Sequence, residues 1–215
     1  NERETLVTEL NVFEKFSPVL PESYRSTGYL FLGNIDPDLQ HSVLDQVGDK
    51  ARVGCDTMNF WIANKRESLV ALLGRIDILF VNDGEAAQLT GESNAIRAAR
   101  AILAMGPSAV VIKKGEHGAM LMTETFRFMT PAFPLENVCD PTGAGDSFAG
   151  GFMGCLAAAG DARESTLKKA MVFGTVSASF TCEDFSVARL ENLGYGDIRR
   201  RFNEFALMTA AGGEI

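Results

Sequence analysis

The sequence predicts an α/β fold, a doubly wound and mostly parallel sheet flanked by helices. Short apolar runs alternate with stretches of helical period from residue 29 onward. The runs are apolar on both faces, as strands covered on two sides must be, and no Gly/Ser-rich or Pro-rich linker interrupts the alternation. With 215 residues the chain has room for one such domain with a sizeable core, spanning 1–215.

The elements are justified in order. Residues 1–16 are polar with scattered apolar positions and are set off by Pro18 and Pro21, so they read as a peripheral strand or lid remnant. The start, Asn1-Glu2-Arg3, has neither an initiator Met nor an apolar targeting segment and reads as a cut inside a longer chain. Tyr29-Leu30-Phe31-Leu32 forms the first strand, and Asp36-Pro37 then opens a helix to about residue 47, with Asp36 as N-cap and Pro37 at the first helical position. Residues 52–56 and 76–81 are further strands, followed by helices over 66–74 and 84–90. A helix over 94–105 precedes the strand 109–112. The two glycines of Gly115-Glu116-His117-Gly118 turn the chain into an antiparallel partner at 119–122, with another strand near 125–129. A strand-like stretch before Asp140 leads into helices over 146–159, 164–182 and 196–209.

Composition excludes several classes. At 46% hydrophobic and 22% charged residues the chain is neither disordered nor membrane-embedded. A net charge of −8 without a Lys/Arg stripe argues against nucleic acid as a partner; Lys113-Lys114 is a pair rather than a patch. Cys55, Cys139, Cys155 and Cys182 never form C-x-x-C, and His41 and His117 stand near none of them. Reduced, mostly buried thiols and a cytoplasmic location are expected. An acidic protein that handles an anion must concentrate positive potential locally, through backbone amides, a helix N-terminus or a bound metal ion.

The stretch Asp140-Pro141-Thr142-Gly143-Ala144-Gly145-Asp146-Ser147-Phe148 has that property. Gly143 and Gly145 allow successive N–H groups to converge, and the helix that follows adds its positive dipole end. The expected result is an anion hole without a cationic side chain, suited to charge developing on a transferred phosphoryl group. Asp146 at the helix start is placed either to take a proton from an attacking hydroxyl or simply to cap the helix. A dinucleotide fingerprint would need Gly where Phe148 stands, and a Walker loop would need Gly-Lys-Ser/Thr.

The run Asp140–Asp146 with Ser147-Phe148 closely resembles the C-terminal signature of the ribokinase-like (pfkB family) carbohydrate kinases. The resemblance implies a phosphotransferase that moves the γ-phosphoryl of ATP to a hydroxyl of a sugar or nucleoside. Asp146 would be the catalytic base, the backbone of Gly143, Ala144 and Gly145 the anion hole, and Thr142 part of the nucleotide site. Asn82-Asp83-Gly84-Glu85 resembles the family's N-x-x-E motif, which implies that Asn82 and Glu85 support Mg2+; by itself the spacing is also that of a helix cap. Residues 110–119 resemble the strand and turn beside the nucleotide, implying contacts from Lys114, Gly115 and Gly118, although a plain hairpin needs the same glycines.

The chain departs from the family pattern in places. Thr57 stands where Pro is usual in the segment around Asp56 and Asn59, and the helix segment Phe173-Gly174-Thr175-Val176-Ser177 lacks the Asn that many members carry there, its Gly174 serving either to admit the base or to let helices pack. The resemblance covers the C-terminal two thirds of a typical member; the N-terminal strands and most of the lid, which choose the sugar, are not represented. An exposed sheet edge would then favour self-association as a homodimer. A truncated nucleotide-binding or subunit-interaction module is the alternative to an active kinase, and an oxidoreductase domain the third reading.

Overall fold

The computed structural model describes residues 11–210. The chain divides into two compact units, with the boundary after Ser108.

The first unit begins with a 3-10 turn, Asn11–Lys15, where a strand or lid remnant was expected; the remainder of that expectation lies outside the described residues. After the short helix α1 (Glu22–Arg25) come β1 (Tyr29–Leu32), α2 (Pro37–Leu44), β2 (Arg52–Asp56), α3 (Asn59–Asn64), α4 (Arg66–Leu73), β3 (Ile78–Asn82), α5 (Asp83–Thr90) and α6 (Ala95–Leu103). β1, β2 and β3 pair in parallel, with Leu30 beside Val53 and Cys55 beside Leu79. Parallel neighbours require crossovers, which the intervening helices provide.

Local chemistry sets the helix starts. Asp36 caps α2 by accepting from the Asp38 amide at 2.9 Å, with Pro37 where its missing N–H costs nothing. Asn94 caps α6 through the Ile96 and Arg97 amides. Leu69, Leu72, Leu79, Leu89 and Ile102 are fully buried, each burial contributing about 1.5–3 kcal/mol relative to exposure.

The second unit comprises β4 (Ala109–Lys113), β5 (Ala119–Thr123), β6 (Arg127–Thr130), α7 (Ala144–Ala159), α8 (Glu164–Thr181), α9 (Ala188–Glu191) and α10 (Tyr195–Thr209). Here β4, β5 and β6 pair antiparallel, because the connections at 114–118 and 124–126 are too short for a crossover. The six strands are therefore of mixed sense, parallel in the first unit and antiparallel in the second.

Residues 131–143 carry no strand, contrary to the expectation of one before Asp140. Pro131 and Pro134 lack the amides a ladder needs, and Val138 is exposed. Beyond them, α8 and α10 bury Val176, Phe180 and Phe205 together, flanked by Phe133, Leu190 and Phe202. The Arg201 guanidinium lies 3.5 Å from the Phe180 ring centroid while it ion-pairs with Glu183, which also binds Arg189.

Candidate functional site

The turn that opens α7 is built by backbone geometry. Asp140 accepts from the Thr142 amide at 2.9 Å, closing a turn in which the Ala144 amide also reaches the Pro141 carbonyl at 3.1 Å. Gly143 then takes φ 82°, a left-handed conformation that costs any L-residue with a Cβ about 1–2 kcal/mol. It is the N-cap of α7 and offers no side-chain acceptor to the first turn. The Ser147 amide bonds back to the Gly143 carbonyl at 2.9 Å, whereas the amides of Gly145 and Asp146 have no acceptor among the described residues. Two open N–H groups at the positive end of a helix longer than four turns are a place for an anion.

Asp146 was expected to begin the helix. The helix begins at Ala144 instead, so Asp146 lies in its first turn, exposed, with its carboxylate not used as a cap. Of the two roles the sequence left open for it, capping is ruled out.

The turn is held from α8. Thr181 Oγ1 donates to Ser147 Oγ at 2.6 Å, and the Cys139 amide donates to the Cys182 carbonyl at 2.8 Å, so adjacent residues at the end of α8 grip both sides of the turn. The two helices approach closely where side chains are absent. A Cβ on Gly174 would stand 2.8 Å from the Phe148 carbonyl, and one on Gly151 would stand 2.9 Å from the Phe173 carbonyl. Gly174 is therefore explained by helix packing.

The turn also has a cationic neighbour, which corrects the expectation of an anion hole without one. Lys113 Nζ lies 3.1 Å from where a Cβ on Gly145 would be, with its Cδ and Cε at 3.8 Å. Gly145 is ordinary helix and does not need the freedom of its φ; what it supplies is room for this side chain. Sequence reasoning paired Lys113 with Lys114 and passed over it. The available signal was its position as the last residue of a buried strand, since open α/β sheets bind ligands at the carboxyl ends of their strands.

The turn between β4 and β5 puts Gly115 at φ 55° and Gly118 at φ 91°, and the Lys114 amide donates to the Gly118 carbonyl at 2.8 Å. A Cβ on Gly118 would collide with the Thr130 carbonyl and lie 2.6 Å from the Pro131 carbonyl carbon, so β6 alone requires glycine there. A Cβ on Gly115 would meet nothing within 4 Å. Lys114 is partly exposed and Thr142 fully so.

In the first unit, Asn82 and Glu85 form a reciprocal capping box at the start of α5. Asn82 Oδ1 accepts from the Glu85 amide at 2.8 Å and Glu85 Oε2 accepts from the Asn82 amide at 2.7 Å. Asp56 is buried at the end of β2 with Oδ1 accepting from the Thr57 amide, while the Asn59 carbonyl accepts from Gln88 at 3.2 Å. Among the described residues no three His, Cys, Asp or Glu side chains cluster as a metal cage. The donors of this segment suit only a cation that keeps most of its waters and is shared with phosphates, the habit of Mg2+.

The cysteines are all free, but only Cys55 is buried; Cys139 is exposed and Cys155 and Cys182 are intermediate, which corrects the expectation of mostly buried thiols. Cys139 lies in the proline-interrupted irregular segment, outside any helix or strand. Burial pushes the thiols of Cys55, Cys155 and Cys182 up, so they stay protonated. No helix among the described residues is long and apolar enough to cross a membrane.

Comparison with known proteins identifies the family. The family model for the pfkB family carbohydrate kinases matches residues 14–192. The chain is 34% identical over 151 residues to a cytidine kinase of Thermococcus kodakarensis, covering 67% of this chain and 54% of that protein. It is 34% identical over 119 residues to a deoxyribokinase of Salmonella typhi, covering 53% of this chain and 38% of that one. Among solved structures, the aminoimidazole riboside kinase of Salmonella enterica, complexed with aminoimidazole riboside and an ATP analogue, has a TM-score of 0.70 at 20% identity, covering 83% of this chain and 63% of that one. A putative ribokinase II of E. coli in complex with ATP and Mg2+ has a TM-score of 0.67 at 19% identity, covering 82% and 59%. These structures share the ribokinase-like fold, and the chain spans little more than half the length of the cytidine kinase. The chain belongs to the pfkB family of carbohydrate kinases.

Proposed function

We propose that this chain carries the phosphoryl-transfer half of a kinase that moves the γ-phosphoryl of ATP to a hydroxyl of a sugar or nucleoside. The observation that carries the reading is the opening of α7, where Gly143 aims two open amides and Asp146 stands exposed in the same turn. Asp146 takes the proton from the acceptor hydroxyl as its oxygen attacks the γ-phosphorus, and the bond to the β,γ-bridging oxygen breaks to release ADP. Within the Gly143-Ala144-Gly145 turn the Ala144 amide is already bonded to the Pro141 carbonyl, so the open amides of Gly145 and Asp146 hold the charge that accumulates on the transferring oxygens. Lys114, Gly115, Gly118 and Thr142 are assigned to the nucleotide, and Asn82 and Glu85 to hydrated Mg2+. Bound Mg2+ supplies neutralisation of the phosphate charge.

Support for a nucleoside or pentose acceptor comes from the relatives, a cytidine kinase and a deoxyribokinase. A cytoplasmic location goes with the use of ATP. Self-association as a homodimer is a further part of the reading, which size-exclusion chromatography with light scattering would detect.

The test is ADP release over a panel of sugars and nucleosides, with calorimetric titration of Mg-ATP in parallel. Turnover on one acceptor class supports the kinase and names its substrate. Nucleotide binding without turnover supports a binding module instead, and absence of both overturns the reading.

A further inference from the structure

We propose that Lys113 is a catalytic residue of the same reaction, its ammonium contacting the γ-phosphoryl group beside the open amides of α7. The proposal rests on the kinase reading above and goes beyond it, since that reading assigns the anion hole to backbone alone.

Lys113 ends β4 and pairs with Ala119 across the hairpin, so its backbone is fixed by the ladder on one side. Its stem runs over Gly145, with Nζ, Cε and Cδ all within 4 Å of the position a Cβ would take there. Gly145 is the residue whose amide is open, and Asp146 follows it. Donors and base thus meet in one turn with a cation alongside.

A multiply charged anion bound at the start of α7 is attracted by the helix dipole and by an ammonium beside it. Asp140 lies in the loop before α7 and Asp146 in its first turn, and carboxylates near an ammonium tune its position without replacing its charge. As the phosphoryl group transfers, negative charge builds on the bridging and equatorial oxygens, where an ammonium within hydrogen-bond reach stabilises the transition state more than the ground state. Lys113 closes β4 whereas Lys114 stands outside the strand at the head of the following 3-10 turn, and it is Lys113 that lies against Gly145.

The experiment compares the chain with Lys113→Met and Lys113→Arg, monitoring thermal unfolding to verify folding. Mg-ADP is titrated with and without beryllium fluoride, a γ-phosphoryl mimic, and turnover is measured on the best acceptor of the panel. The expected result for Lys113→Met is a roughly 10²–10³-fold fall in kcat, as for loss of one oxyanion donor, with KM for Mg-ATP changed much less. Mg-ADP affinity stays, the gain from beryllium fluoride is lost, and Lys113→Arg restores part of both. If Lys113→Met keeps kcat within a few-fold and still gains from beryllium fluoride, Lys113 is not catalytic although the kinase reading stands. If the unmodified chain binds neither Mg-ADP nor its beryllium fluoride complex, the kinase reading falls and this proposal with it. Where turnover is absent but nucleotide binds, the beryllium fluoride comparison decides.

Discussion

Two helix starts in this molecule solve the same problem differently. At α5, Asn82 and Glu85 cap each other's amides, and the protein satisfies its own donors. At α7, Gly143 caps with no side chain and the Gly145 and Asp146 amides are left open. A closed start contributes stability, about 1 kcal/mol for its cap. An open start forgoes that contribution and can receive a ligand. Both resemble motifs of the family, and that resemblance alone does not say which start does chemistry and which holds a helix.

The comparison breaks most visibly at Asp146. Asp146→Asn is expected to lower phosphoryl transfer by about 10²–10⁴-fold while calorimetric Mg-ATP affinity changes little, because the amides remain. Equal turnover in the variant would mean that the open start is not the catalytic one. Gly143→Ala is expected to strain the left-handed cap by about 1–2 kcal/mol, lowering Tm by roughly 2–8 °C, and to weaken Mg-ATP binding together with it. Asn82→Ala should cost about 1 kcal/mol, with a Tm fall of roughly 2–4 °C, largely restored by Asn82→Asp, another good cap. If Asn82 serves only as a cap, the Mg2+ dependence of nucleotide binding in Asn82→Ala will match that of the original chain, and the proposed metal role is lost. The smallest effect concerns the grip from α8. Thr181→Val removes the bond to Ser147, worth about 1 kcal/mol, and is expected to raise KM for Mg-ATP a few-fold at nearly constant kcat.

Much of this contrast was legible in the sequence, and the rest was hidden for physical reasons. Asp36-Pro37, the N-x-x-E spacing and the paired glycines near β4 act through neighbours in sequence, so their geometry could be read locally. Whether α7 begins at Ala144 or Asp146 depended on the single positive φ of Gly143, which composition does not encode. Helix α3 went unread because its cap, Met58, has no side-chain acceptor and its apolar positions, Trp61 and Ile62, are adjacent rather than spaced. Lys113 could not be placed beside Gly145 from periodicity, since the two are joined only through the tertiary return of the chain to the end of β4. The exposure of Cys139 likewise follows from prolines that deny residues 131–143 a ladder.

The close passage of β6 over Gly118 bears on how substitution surveys of this chain are interpreted. A library screened for growth would return no tolerated replacement at position 118, even if the encoded protein never met a nucleotide, because Thr130 and Pro131 occupy the space first. At Gly115 the same screen faces only a left-handed φ with empty surroundings, so Asn and Asp should survive unless a ligand excludes them. Permissiveness at 115, rather than intolerance at 118, is therefore the genetic signal that reports on nucleotide contact in this turn.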